Sequence, residues 1–322
     1  MYIKLKCHLD ANNIYYETNV DLKKKTWIHR GGKCELFISP QNSSELQVVV
    51  KYLYLNDIKF QLLGHTSNVY ILNTTNIPIV VSTMKCCKYE LLTDKIICES
   101  GASVVRVAND MIQQGVAGFE YLTGLPGTIG AAIYNNSSCK SNSISQLLIS
   151  AEVLLEDGRL VTMTSDDMKF NFRSSVFKDK QLKGVIVNVI LKVEHGDTNL
   201  LKKIAKSNDE ERGRRLEGNA KNLGCTVNRC FINGRMPLFY YLSYHIYRGT
   251  LRLIGKTEIE AKSKAKDFLC KISGYGEISP YISIKNPIIF VWKDSKADEL
   301  FPLYLKFMAK VYKTDKLEIE VI

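Results

Sequence analysis

Between Gly118 and Asn136 the chain reads GFEYLTGLPGTIGAAIYNN, with Gly118, Gly124, Gly127 and Gly130 gathered around Pro126 and followed by small residues. Each glycine forfeits backbone entropy on folding, so such a cluster is tolerated where the backbone turns tightly or lets another group approach closely. The glycines alone leave two readings open: an ordinary loop packed on the core, or a cradle for a phosphate-bearing cofactor. A second turn of small residues, Gly64-His65-Thr66-Ser67-Asn68, is another place where backbone N–H groups can face a phosphate.

That second turn ends a strand-helix-strand unit. Residues 34–39 alternate like a strand, Pro40-Gln41-Asn42 breaks it, and Ser44 with Gln47 makes a capping-box start for the apolar run 46–55. A strand over 59–64 follows. Further strands are expected at 77–82 and 95–100, then a helix over 103–114 closed by Gly115. Asp157-Gly158 turns a hairpin of 151–156 with 159–164, and 184–194 alternates as a long strand. Beyond it come a charged helix over 199–215, a small turn into a strand at 222–228 and a Lys-rich helix over 257–271. Tyr240, Tyr241, Tyr244 and Tyr247 are expected as a packed helical face. The chain closes with a hairpin over 282–292 about Asn286-Pro287, a helix over about 296–313 and a strand over 317–322. The fold class is α+β, without internal repeats.

Composition narrows the function. The 322 residues carry 44 Lys and Arg against 33 Asp and Glu, a net charge of +11, so anions such as phosphates and nucleotides are favoured partners. The basic residues are dispersed and no aromatic-basic RNA-binding motif is present, which argues against nucleic acid. Apolar runs fall far short of the roughly 18 residues a membrane helix needs, and the opening MYIKLKCHLDANN has no hydrophobic signal core. A soluble cytoplasmic protein without membrane insertion is expected. The nine cysteines form no C-x-x-C pair, Cys86 and Cys87 are neighbours, and the five histidines are scattered, so neither a disulfide framework nor a metal site is expected.

GFEYLTGLPGTIGAA closely resembles the FAD-binding signature of UDP-N-acetylenolpyruvoylglucosamine reductases. EVLLEDGRLVTMTSDDMKFNFRSSVFK is similar to that family's hairpin and its aromatic-aromatic-Arg-x-Ser motif. LLGHTSN resembles its glycine-rich G-G-G-S-N turn, WIHRGGKCELFISPQNSSEL its opening double-glycine strand and helix, and the ending LEIEVI its terminal strand. The resemblance spans most of residues 20–195 and about the last 40.

This resemblance implies a two-part FAD-binding domain of the vanillyl-alcohol-oxidase type over 1–196, with subdomains of about 1–72 and 73–196, followed by a smaller α+β substrate domain over 197–322. It also implies an activity: hydride from NADPH passes through FAD to an enolpyruvyl ether of UDP-N-acetylglucosamine, making a peptidoglycan (cell-wall) precursor. Gly64, His65, Thr66, Ser67, Asn68, Gly124, Pro126, Gly127, Thr128, Gly130 and Ala131 would hold FAD. Arg173 would stabilise the enolate, Glu320 would assist, and Cys225 falls where the family usually has its proton-donating Ser. Arg173, Ser175, Arg214, Arg215 and Asn228 would bind the nucleotide sugar.

The sequence departs from the family mainly on the substrate side. Ser137-Ser138-Cys139-Lys140-Ser141 replaces its Ala-Gly-Tyr tract, Phe172 replaces the Tyr before the key arginine, and Val227-Asn228-Arg229-Cys230 replaces its Phe-Lys-Asn-Pro. The alternatives are a related flavoenzyme with a different nucleotide-sugar or other acceptor, and a degenerate flavin-binding module. The oligomeric state and the choice of NADPH over NADH are left open.

Overall fold

The computed structural model describes residues 2–139, 141–218, 220–227 and 236–322. They form two compact units whose segments interleave along the chain. The first holds 2–22, 32–66 and 76–211; the second holds 23–31, 67–75 and the described part of 212–322. The division after 211 lies beyond the expected 196, and two short N-terminal segments belong with the C-terminal part.

The first unit opens with α1 (Ile3–Ala11), β1 (Tyr16–Asp21), β2 (Lys33–Ile38), α2 (Ser43–Leu55) and β3 (Gln61–Leu63), and after β4 (Val69–Tyr70) in the second unit it resumes with β5 (Asn76–Ser82). The sheet runs β1-β2-β5-β3, with β1 antiparallel to β2 and both β2 and β3 parallel to β5. In α2 the apolar residues Leu46, Val49, Val50 and Leu53 recur on one face and are buried with Leu36, Ile38 and Val81. Its cap differs from the expected Ser44 with Gln47. The Asn42 side chain accepts the Glu45 N–H at 2.9 Å and Glu45 accepts the Gln41 N–H at 2.9 Å, so the helix starts one position earlier. β5 pairs with both β2 and β3, so this sheet continues past residue 72.

The second sheet of this unit uses β6 (Tyr89–Leu91), β7 (Lys95–Glu99), β10 (Leu148–Leu155), β11 (Leu160–Thr164) and β12 (Gly184–Lys192) in the order β11-β10-β12-β7-β6, antiparallel throughout. Between β7 and β10 lie α3 (Val104–Gln113), α4 (Ile129–Tyr134) and a small hairpin of β8 (Ser138–Cys139) with β9 (Asn142–Ser143). Val107, Met111, Ile129, Ile133, Val153 and Val189 share its core. α5 (Thr198–Arg215) buries only Leu201 and Ala205.

The second unit contains α6 (Leu238–Leu253), α7 (Glu258–Ile272), α8 (Lys296–Val311) and β13 (Glu320–Val321), the last parallel to β4. Its core is aromatic: Tyr70, Phe290, Trp292, Phe301, Tyr304 and Phe307 are all buried. Asp298, in the first turn of α8, accepts from Tyr70 Oη (2.9 Å) and Asn73 Nδ2 (2.6 Å) and pairs with Arg30 Nε (3.2 Å). Both short N-terminal segments are thereby tied to α8.

Four expectations are corrected here. The 282–292 hairpin turns about Asn286 but is joined by a single bridge, Ile282 to Phe290, because 276–281 coils as a 3-10 helix. The strand at 222–228 is reduced, among the described residues, to bridges at Asn222 and Val227, and the terminal strand to two residues. Of the four tyrosines on α6, Tyr240 and Tyr244 pack on the core and Tyr247 on Phe268, whereas Tyr241 is exposed. The eight described cysteines are free, and among the described residues there is no metal-ligand cluster and no helix long and apolar enough to cross a membrane.

Candidate functional site

The glycine-rich loop is pinned at its base by the turn after β7. Val104 donates to the Gly127 carbonyl (3.1 Å), Ile129 to Ala102 (2.8 Å) and Gly130 to Ser100 (2.8 Å). A Cβ on Gly130 would stand 2.8 Å from Ser100 Cβ, so this glycine is dictated by close packing and its N–H is already committed. Thr128 caps α4 by accepting the Ala131 N–H at 3.4 Å. A Cβ on Gly64 would approach Thr128 Oγ1 to 2.8 Å, which brings the two glycine turns together. At the other end of the loop, Thr123 Oγ1 donates to Asp209 (2.7 Å) and Asn208 donates to the Glu120 carbonyl (3.0 Å), fixing the loop to α5.

These residues fit a phosphate-bearing cofactor. Neither 64–68 nor 124–131 holds an acidic side chain, Pro126 at the crest is exposed, and Gly127 takes φ +146°, a conformation that L side chains rarely adopt. Thr66 is left-handed as well, at +56°. His65 is half-buried, and desolvation pushes its imidazole pKa below the usual 6.5. Gly64, His65 and Thr66 belong to the first unit, and Ser67 and Asn68 to the second.

Arg173 sits in a tight turn closed by reciprocal backbone hydrogen bonds between Asn171 and Ser174, 3.1 and 3.2 Å, with φ +56°. Three side-chain bonds fasten this turn to the C-terminal end of α4. Ser175 Oγ donates to the Tyr134 carbonyl (2.7 Å), Asn136 Nδ2 to the Asn171 carbonyl (2.9 Å) and Lys178 Nζ to Asn135 Oδ1 (2.7 Å). Ser175 is fully buried, and its hydroxyl fastens the turn by donating to the Tyr134 carbonyl. Asn136 and Lys178 escaped the sequence reading, because their partners become neighbours only in the folded chain.

In the second unit, Asn68 and Glu320 are adjacent. The Asn68 carbonyl accepts the Glu320 N–H at 2.9 Å, and Asn68 Nδ2 donates to the Glu318 carbonyl at 3.2 Å. Glu318 in turn donates to the carbonyl of Thr226, next to Cys225 (3.0 Å). Cys225 is half-buried against the aromatic core, between left-handed Gly224 (φ +72°) and buried Thr226. Arg214 and Arg215 are exposed in the last turn of α5, where Lys285 Nζ caps the Gly213 (2.7 Å) and Leu216 (2.9 Å) carbonyls. Asn228 lies outside the described residues. Arg173 thus belongs to one unit, and Cys225 and Glu320 to the other.

An FAD binding domain family model matches residues 34–164. The chain is 28% identical over 208 residues to a UDP-N-acetylenolpyruvoylglucosamine reductase from Bacillus pumilus, covering 64% of this chain and 67% of that one. The reductase of the same name from Staphylococcus aureus is 31% identical over 161 residues, 50% of this chain and 52% of its own, so there the likeness spans about half of the relative's length. That from Clostridium tetani is 26% identical over 263 residues, 81% and 82% of the two chains. In fold, the UDP-N-acetylenolpyruvylglucosamine reductase of Thermus caldophilus superposes with a TM-score of 0.67 over 96% of this chain and 99% of that one, at 18% identity. With its glycine loop and Arg173 turn, this α+β chain carries an FAD-binding domain and is similar in sequence and in fold to UDP-N-acetylenolpyruvoylglucosamine reductases.

Proposed function

We propose that the chain is an FAD-dependent oxidoreductase that reduces an enolpyruvyl ether of UDP-N-acetylglucosamine with hydride from NADPH, making a peptidoglycan precursor. One observation carries this reading: the glycine loop and the Arg173 turn are attached to the two ends of the same six-residue helix, α4. Residues 64–68 and 124–131 would hold FAD, which when bound supplies a two-electron carrier between the nicotinamide and the vinyl carbon of the acceptor.

Everything else falls to side chains. A guanidinium grips a carboxylate in its own plane, so Arg173 stabilises the negative charge that builds on the substrate carboxylate as the vinyl carbon is reduced. The adjacent carbon then needs a proton. Cys225 supplies it, since a thiol with a reference pKa near about 8.5 is mostly protonated at neutral pH. Glu320, on the strand that runs beside Asn68, assists as a carboxylic acid or through its hydrogen bond. Arg214 and Arg215 lend positive charge to the diphosphate of the nucleotide sugar.

A second reading, the same flavin chemistry with a different acceptor, is favoured by the departures: exposed Phe172 beside Arg173 and the altered sequence after Thr226. One experiment separates them. The protein is reduced anaerobically with NADPH, and UDP-N-acetylglucosamine enolpyruvate is added. Return of the oxidised flavin band supports the first reading; a flavin that reduces but stays reduced sinks it in favour of the second.

A further inference from the structure

We infer that the helical hairpin of α6 and α7 docks on an anionic lipid surface. α6 buries Leu251 and rests Tyr240 and Tyr244 on the core, yet its opposite face carries Leu238, Phe239, Leu242, Ile246 and Leu253, all exposed; Ile246 is 61% and Leu253 88% accessible. These positions recur at helical spacing and form one stripe along the whole helix. The stripe continues past its end, where Ile254 and Ile259 are also exposed. Beside it Phe239, Leu242, Ile246 and Phe268 line an open groove of about 430 Å³. Scattered exposed apolar residues need no explanation, but a contiguous apolar face marks a contact surface.

Charge selects the partner. From Leu238 to Thr257 the chain has no acidic residue, and Tyr241, His245, Arg248 and Arg252 follow one another along one flank of the stripe, with Lys256 in the connecting turn. The nearest carboxylate, Glu258, is already shared by Arg248, Lys262 (3.3 Å) and Arg252 (3.7 Å). A two-fold contact through the α6 stripe would bring these two cationic flanks together with no acidic residue of α6 between them. An anionic headgroup layer answers both features, taking the apolar stripe among its acyl chains while the arginines stay at the phosphates. Sixteen residues rise only about 24 Å, too short to span a bilayer core of about 30 Å, so the helix would lie in the interface plane.

The test is co-sedimentation of the full chain with vesicles of phosphatidylcholine alone and of phosphatidylcholine with phosphatidylglycerol in a two-to-one ratio, at low and high salt. Binding is expected only to the mixed vesicles, and weakens steeply as salt screens the headgroups. Leu242→Glu combined with Ile246→Glu should lower the bound fraction at least roughly tenfold, and Arg252→Glu should lower it without changing the far-ultraviolet circular dichroism. No binding to the mixed vesicles, or equal binding to both kinds, overturns the proposal. So does a concentration-dependent dimer that the Leu242→Glu, Ile246→Glu variant abolishes, which would give the face to a second copy.

Discussion

Arg173 holds a left-handed backbone that costs a non-glycine residue on the order of 1–2 kcal/mol, and the bonds from Asn136, Ser175 and Lys178 keep it there. Arg173→Ala is expected to leave FAD bound and to slow flavin reoxidation by the enolpyruvyl substrate at least about a hundredfold, read by anaerobic stopped-flow. Cys225→Ser should keep turnover while Cys225→Ala loses it; equal rates would reduce Cys225 to packing. Gly101 makes the sharpest demand on size. A Cβ there would lie 1.7 Å from the Thr83 carbonyl oxygen, so Gly101→Ala should fail to give folded protein, whereas Gly130→Ala should cost about 1–3 kcal/mol in thermal unfolding. His65 adds a pH dependence. Its folded pKa lies below the unfolded 6.5, so the unfolded chain binds more protons as pH falls through 6.5 and stability drops on the acid side. His65→Asn should flatten that drop in pH-dependent melting curves of FAD-free protein. The glycine cluster stood out in the sequence because its members are neighbours along the chain, whereas Arg173 was singled out only through the family resemblance. Gly101, Asn136 and Asp298 did not stand out, since each is defined by a group that only folding brings near.

Among the elements, those with local signals formed as expected. α3 begins after Ser103, whose side chain accepts the Arg106 N–H, and ends before left-handed Gly115. The Asp157-Gly158 hairpin pairs in full register from Leu154 and Leu160 back to Ser150 and Thr164. α7 has a complete capping box, with Thr257 accepting from Glu260 (3.3 Å) and Glu260 accepting the Thr257 N–H (2.9 Å). Thr257→Ala should therefore lower stability by about 1 kcal/mol in a urea melt. Elements whose pairing depends on distant partners came out shorter than their sequence patterns. The expected terminal strand shrinks to the two residues that meet β4, and Ile282 to Trp292 keeps one bridge because its flank is wound into a 3-10 helix. The α1 helix, Ile3–Ala11, gave no cap or periodic signal; it buries Leu5 and Leu9 and stacks His8 on Tyr52.

At the scale of the molecule, the α+β class and the FAD-binding region were legible, and the sheet order and the interleaving of the units were not. Hydropathy patterns report elements, not which core an element joins. Segments 23–31 and 67–75 enter the second unit through particular bonds: Trp27 Nε1 to the Asn222 carbonyl (3.0 Å), Asn68 to Glu318, and Arg30, Tyr70 and Asn73 to Asp298. Residues 212–322 expressed alone should lack a cooperative unfolding transition, while the full chain retains one; a cooperative melt of the fragment would refute this.

The same threading bears on how such a protein can change over generations. Because β13 at the C-terminal end pairs with β4 near the N-terminal end, and Asp298 bonds three residues more than 220 positions upstream, no single crossover in the gene can exchange the second unit intact. A recombinant joined near residue 211 would carry a foreign partner for β4 and a foreign hub for Arg30, Tyr70 and Asn73. New acceptor specificity in this lineage would then arise by stepwise substitution within an inherited whole rather than by importing a ready-made module.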